Sequence, residues 1–118
     1  MDLDASAELL KALAHPVRLS ILATLVETEL SVGAIEEVSG VGQPGLSQQL
    51  AVLRNAGLVQ TRREAKLVFY RINHDRIADV SALLNAFAGT VAVTREEAER
   101  VSRFRSAGGA ATFARMDP

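Results

Sequence analysis

The chain has 118 residues, a formal charge of −1 and no cysteine. That length suffices for one domain with a modest core, burying about two thirds of its unfolded surface, and the lack of cysteine excludes disulfides, thiolate metal sites and thiol redox chemistry. No N-terminal stretch combines a basic start with an apolar core, and the uncharged, largely apolar run Val80 to Thr94 falls short of the roughly 20 residues that span a bilayer, so the expectation is a soluble cytoplasmic chain with no membrane partner.

Residues 5–14 combine good helix formers with an apolar spacing at Leu9, Leu10 and Leu13. Pro16 disfavours helical geometry at His15, so this first helix stops there, His15 serves as a junction or cap, and a second helix runs over 16–27. Val17, Ile21, Leu22 and Leu25 are its buried side, with Val26 at the margin. Thr28 to Val32 reads as a short extended piece, after which Ser31 caps a third helix over 33–39 that buries Ala34, Ile35 and Val38. Gly40-Val41-Gly42 then makes a tight connection into a fourth helix over 43–56.

The fourth helix starts with Pro44 in its first turn and stops at Gly57. Leu46, Leu50 and Leu53 form one apolar stripe, while Gln43, Ser47, Gln48 and Asn55 fall on other faces. Short uncharged hydrogen-bonding side chains stand here in place of the Glu/Lys mixture of an ordinary solvated face, and Gln and Ser can reach base edges. Taken alone, the pattern also fits a solvated amphipathic helix. Two helices joined by a short glycine-containing turn form the helix-turn-helix pattern, in which the second helix enters the major groove.

Residues 58–72 are rich in β-branched and aromatic side chains with a polar middle, the signature of a hairpin turning near Glu64-Ala65. Val68, Tyr70 and Ile72 alternate onto a core face, and Arg62, Arg63 and Lys66 crowd the tip. Charge is unevenly spread: residues 1–42 carry two basic and seven acidic groups, whereas residues 43–76 carry six basic and two acidic. The local positive balance favours a phosphate-contacting wing over a merely solvated tip.

From Asn73 the spacing is helical again, over 74–92, with Ile77, Val80, Leu83, Leu84, Phe87 and Val91 on one stripe and alanines around the rest. A helix apolar on most sides must be covered on most sides, so a second copy of the chain is expected against it, with Leu9, Ile77, Val80, Leu84, Phe87 and Val91 at the interface. Thr94-Arg95-Glu96-Glu97 matches a capping box and starts a last helix over 95–106, followed by a flexible tail, 107–118. The expected architecture is mostly α with a small β-hairpin wing (α+β): a single winged helix-turn-helix domain over residues 1–106.

Three segments resemble the ArsR/SmtB family of bacterial repressors: Leu10-Lys11-Ala12-Leu13-Ala14-His15-Pro16-Val17-Arg18-Leu19-Ser20-Ile21-Leu22, the fourth helix, and Arg62-Arg63-Glu64-Ala65-Lys66-Leu67-Val68-Phe69-Tyr70. The likeness covers about residues 6–92 and looks strongest to members that sense persulfides or oxidants through paired cysteines, which this chain lacks. It implies a homodimer on an imperfectly palindromic double-stranded operator, released by an inducer. Gln43, Pro44, Ser47 and Gln48 would then lie in the groove, and Arg54, Arg62, Arg63 and Lys66 on phosphates. Related zinc sensors hold metal on the long helix with Asp, His, His and Glu. Aligning through Tyr70-Arg71-Ile72 puts His74, Arg76, Phe87 and Thr90 there, and Arg and Phe cannot ligate zinc. No metal and no cofactor is expected. Three inputs stay open: a small-molecule inducer at the dimer interface, no ligand at all, or a cysteine-sensing parent with Ser at positions such as Ser31, Ser39 or Ser102. A winged-helix protein-interaction module is the rival reading, disfavoured by the basic balance around the fourth helix. An enzyme is disfavoured because neither His has a nucleophile and carboxylate at recognisable spacing.

Overall fold

The computed structural model describes residues 2–89. In chain order they form α1 (Leu3–Leu13), α2 (Pro16–Thr24), β1 (Leu30–Ser31), α3 (Val32–Ser39), α4 (Gly45–Asn55), β2 (Val59–Glu64), β3 (Leu67–Ile72) and α5 (His74–Ala88). The strands make one antiparallel sheet in the order β1-β3-β2. This is the expected winged helix-turn-helix. The last helix expected over 95–106, the tail, Val91 and Thr90 lie outside the described residues.

Local chemistry sets the boundaries. Asp2 caps α1 by accepting from the Ala5 N–H (3.1 Å), which starts the helix two residues before the expected position. His15 caps α2 through Nδ1, which accepts from the Val17 N–H (3.1 Å), with Pro16 following as the first helical residue. α2 ends at Thr24, not at Glu27 as expected: the Thr24 hydroxyl donates to the Ile21 carbonyl (2.6 Å), and the Leu25 and Val26 N–H groups fall back to carbonyls three residues earlier, tightening the last turn. Ser31 caps α3 by accepting from the Ala34 N–H (3.3 Å).

α4 begins at Gly45, two residues later than expected, and Pro44 sits at its cap instead of inside its first turn. The cause is Gln43. Its side-chain carbonyl takes the Ser47 N–H (3.0 Å) that a longer helix would give to the Gln43 main-chain carbonyl. At the other end Gly57 (φ +75°) closes the helix, with the Leu58 N–H reaching back to the Leu53 carbonyl (3.0 Å) and the Gly57 N–H to that of Arg54 (3.0 Å), the Schellman arrangement.

The core gathers Leu9, Ile21, Leu25, Ile35, the α4 stripe, Leu58, Val59, Tyr70 and Val80, so every element except the far half of the hairpin contributes to it. Val38 departs from expectation: in the last turn of α3, next to the left-handed Gly40 that ends the helix, it is 57 % exposed. α5 behaves as a half-covered helix, burying Val80 and Leu83 while Leu84 and Phe87 remain 51 % and 73 % exposed.

Leu50 lies at the centre of this packing. Leu50→Ala is expected to lower the free energy of unfolding by about 2–5 kcal/mol, read as a shift in urea midpoint at constant m value.

Candidate nucleic-acid interface

α4 is seated by Leu46, Leu50 and Leu53, all fully buried, which turns Ser47, Gln48, Val52 and Asn55 outward. Two hydrogen bonds organise the first turn: the Gln43 side-chain oxygen accepts from both the Ser47 N–H and the Ser47 hydroxyl (2.8 Å). Gln43 and Ser47 therefore act as a pair. Gln48 stands exposed next to them, and Arg54 is exposed on the flank of the helix.

A residue not singled out from sequence fixes the angle of α4. Arg18 of α2 donates from Nε to the Ala12 carbonyl and from Nη2 to that of Lys11 (3.3 Å), while Nη1 donates to the Gln49 side-chain oxygen (2.8 Å). One guanidinium thus satisfies carbonyls at the end of α1 and holds α4 against it. The available sequence signal was a cation shortly after a helix stop, where the free carbonyls attract positive charge.

The hairpin follows α4 directly and is held at its base by Asn73, whose side-chain amide donates to the Gly57 carbonyl (2.9 Å) and whose N–H donates to the Leu58 carbonyl (3.0 Å). In the register, Arg63 pairs with Val68, Thr61 with Tyr70 and Val59 with Ile72, on the face that continues the core. Arg62 pairs with Phe69 and Gln60 with Arg71, on the outer face. The neighbouring arginines therefore belong to opposite faces. Lys66 sits in the turn beside Ala65, a non-glycine residue at φ 55°.

Arg62 is not a free cation. Its Nε lies 2.8 and 2.9 Å from the two carboxylate oxygens of Glu29, Nη2 also donates to Glu29, Nη1 donates to Glu64 (2.9 Å), and its carbon lies 4.6 Å from the centre of the Phe69 ring. The hydrogen bonds from Arg62 hold the Glu29 carboxyl below the usual carboxylate range, and those from Glu29 and Glu64 push the guanidinium further up. The same pair forms part of the wall of an open groove of about 680 Å³ between the segment after α2 and the start of α5, lined also by Leu25, Arg71, Ile72 and His74. Within the described residues, Arg54, Arg63 and Lys66 form no ion pair.

Of the expected interface residues, Leu9 and Val80 are buried in the chain's own core, Ile77 is half-buried against it, and Leu84 and Phe87 face solvent. Of the positions aligned with the zinc sensors, His74, Arg76 and Phe87 are exposed on α5. Among the described residues no group of three or more His, Asp or Glu side chains converges in a way that could hold a metal ion, and no helix is long and apolar enough to cross a membrane.

Two helices joined by a short turn, with a hairpin following directly and its first strand packed against the second helix, define a winged helix-turn-helix protein. A family model described as a helix-turn-helix domain matches residues 13–62. The chain is 55 % identical over 82 residues to the biofilm growth-associated repressor of Xylella fastidiosa, covering 69 % of this chain and 72 % of that one. The crystal structure of the transcriptional repressor BigR from Xylella fastidiosa superposes with a TM-score of 0.60 at 49 % identity, covering 75 % of this chain and 91 % of that chain. The solution structure of Mb0332 from Mycobacterium bovis, a homodimeric winged helix-turn-helix DNA-binding domain described as a possible ArsR-family regulator, gives 0.61 at 38 % identity, covering 73 % and 80 %. The chain belongs to the ArsR/SmtB family of transcriptional regulators.

The Glu29–Arg62 pair gives a direct test of the hairpin geometry. Because the folded-state value of Glu29 is depressed, the pair's contribution to stability is complete above the unfolded carboxylate value and is lost as pH falls through the lowered one. In a carboxyl NMR titration Glu29 is expected to protonate below the ordinary glutamate midpoint, and Arg62→Ala to return it upward.

Proposed function

We propose that the chain is a homodimeric, sequence-specific DNA-binding repressor whose α4 reads the major groove and whose hairpin neutralises backbone phosphate. The observation that carries this reading is the surface of α4. Its apolar stripe is wholly sunk, which leaves an uncharged hydrogen-bonding face of Gln43, Ser47 and Gln48, continued by Arg54, Arg63 and Lys66, cations that form no ion pair among the described residues. Amide and hydroxyl groups suit base edges, and clustered cations suit phosphate. Pro44, at the cap of α4, sets the closest approach of the main chain to the groove. The interaction-module reading would need an acidic or apolar face there instead.

The exposed Leu84 and Phe87 on α5 supply the surface for the second copy, and the homodimeric state described for the Mycobacterium bovis relative supports that use. A two-fold dimer places two copies of α4 on an imperfect palindrome. Release from DNA is the work of an inducer. With no cysteine anywhere in the sequence, and with Arg76 and Phe87 where zinc sensors carry ligands, that inducer is neither a thiol-reactive agent nor a metal at the usual interfacial position.

Fluorescence anisotropy against the promoter of its own gene and against random duplex tests the reading. Gln48→Ala is expected to reduce the preference for operator by about 1–3 kcal/mol, whereas Lys66→Ala weakens both duplexes alike and lowers the salt slope by about 0.9. Equal, unchanged affinities for both variants would overturn the assignment of the reading surface. In sedimentation velocity, Phe87→Glu is expected to convert the dimer to a monomer, with loss of operator binding at the same concentration; a dimer that persists would remove α5 from the interface.

A further inference from the structure

The sheet register separates two populations of cations that the sequence places side by side. On the outer face, Ser31, Phe69 and Arg62 lie in one row across β1, β3 and β2. Arg62 does not extend from the tip. It lies back across the Phe69 ring and reaches Glu29 at the far edge of the sheet, spanning all three strands. Both edges of the guanidinium are occupied, one by the bidentate Glu29 carboxylate and one by Glu64. Such a bidentate pair inside a network, with a ring beneath it, is the arrangement in which a surface ion pair persists.

The charge balance of this face follows. Arg62 is met by Glu29 and Glu64, and Arg71 on the same face lies close enough to Glu29 to lower its carboxyl further, so two carboxylates stand against the two cations of the outer face. On the other side of the same hairpin, Arg63 and the turn residue Lys66 have no carboxylate partner among the described residues. Glu29 itself lies on the segment between α2 and β1, some distance along the chain from the hairpin whose charge it sets.

We propose that Glu29 is a positioning residue of the wing: by holding Arg62 flat on the outer face, it keeps that cation off the DNA backbone and confines phosphate contact to Arg63, Lys66 and Arg54. The proposal rests on the DNA-binding reading above and assigns Glu29 the role of intramolecular competitor with phosphate. A wing with one cation withheld binds arbitrary duplex less tightly, while base readout by α4 is untouched. The device therefore lowers the sequence-independent part of binding, on operator and random duplex alike, and leaves the reading of sequence to α4.

The test is the dependence of random-duplex affinity on salt, measured by anisotropy for the full chain, Glu29→Gln, Arg62→Ala and the double variant, with Arg63→Ala as reference. Expected are a slope close to wild type for Arg62→Ala, a slope steeper by about 0.9 for Glu29→Gln, and a return to the wild-type slope in the double variant. A lowered slope in Arg62→Ala alone would show Arg62 already on phosphate and overturn the proposal. So would a Glu29→Gln effect that survives in the double variant, since the glutamate would then act by general repulsion and not through Arg62. If Arg63→Ala also leaves the slope unchanged, the DNA-binding surface itself is misassigned, and this role falls with it. As a readout independent of affinity, the Arg62 Nε–H resonance is expected to keep its position when operator is added to saturation; its displacement would overturn the proposal.

Discussion

Everything functional in this chain depends on the burial of one leucine stripe. Leu46, Leu50 and Leu53 seat α4 in the core against α1, α2 and the first strand of the hairpin, so the helix is gripped from several directions at once. Interiors packed at near-crystalline density do not let a helix rotate about its axis without opening voids, and each void costs stability. The orientation of Gln48 and Ser47 is thus fixed by side chains that never meet a partner molecule.

The hairpin inherits its position from the same helix. Gly57 ends α4 with a left-handed turn, Leu58 and Val59 enter the core immediately afterwards, and Asn73 ties the end of the hairpin back to the Gly57 carbonyl. Helix end, strand pair and the start of α5 are joined within a few residues, so the hairpin and α4 are tied together at a common base. Arg18 extends this rigidity to α1, because a guanidinium with three fixed acceptors sets distance and angle together, which apolar contact alone does not.

What could be read from the sequence was local. Ser31, His15, Pro16 and Gly57 declare helix ends because a cap or a left-handed turn involves residues only a few positions apart, and the period-two pattern of Val68, Tyr70 and Ile72 declares a core face on the same grounds. The exact start of α4 was not legible, since Gln43 competes with its own main chain for the Ser47 N–H and propensity does not weigh that competition. Nor were the long-range pairs. Glu29 and Arg62 are 33 residues apart and Arg18 and Gln49 are 31 apart, so spacing gives no hint that they meet. For the same reason Arg62 and Arg63 read as equivalent in the sequence, although the pleat assigns them to opposite faces, where Arg62 meets Glu29 and Glu64 and Arg63 forms no ion pair among the described residues.

The Gln43–Ser47 pair carries a consequence for polarity. Only an oxygen can accept the two hydrogen bonds that Ser47 donates, so the orientation of the Gln43 amide is determined and its carbonyl is used up. The remaining capacity of Gln43 is its amino group, a donor; the remaining capacity of Ser47, whose hydroxyl proton is committed, is as an acceptor. The start of α4 therefore presents not two adaptable groups but an ordered dipole, donor first and acceptor one turn later. A surface matched to it must offer the opposite order, and one that offers two donors or two acceptors leaves a group unsatisfied.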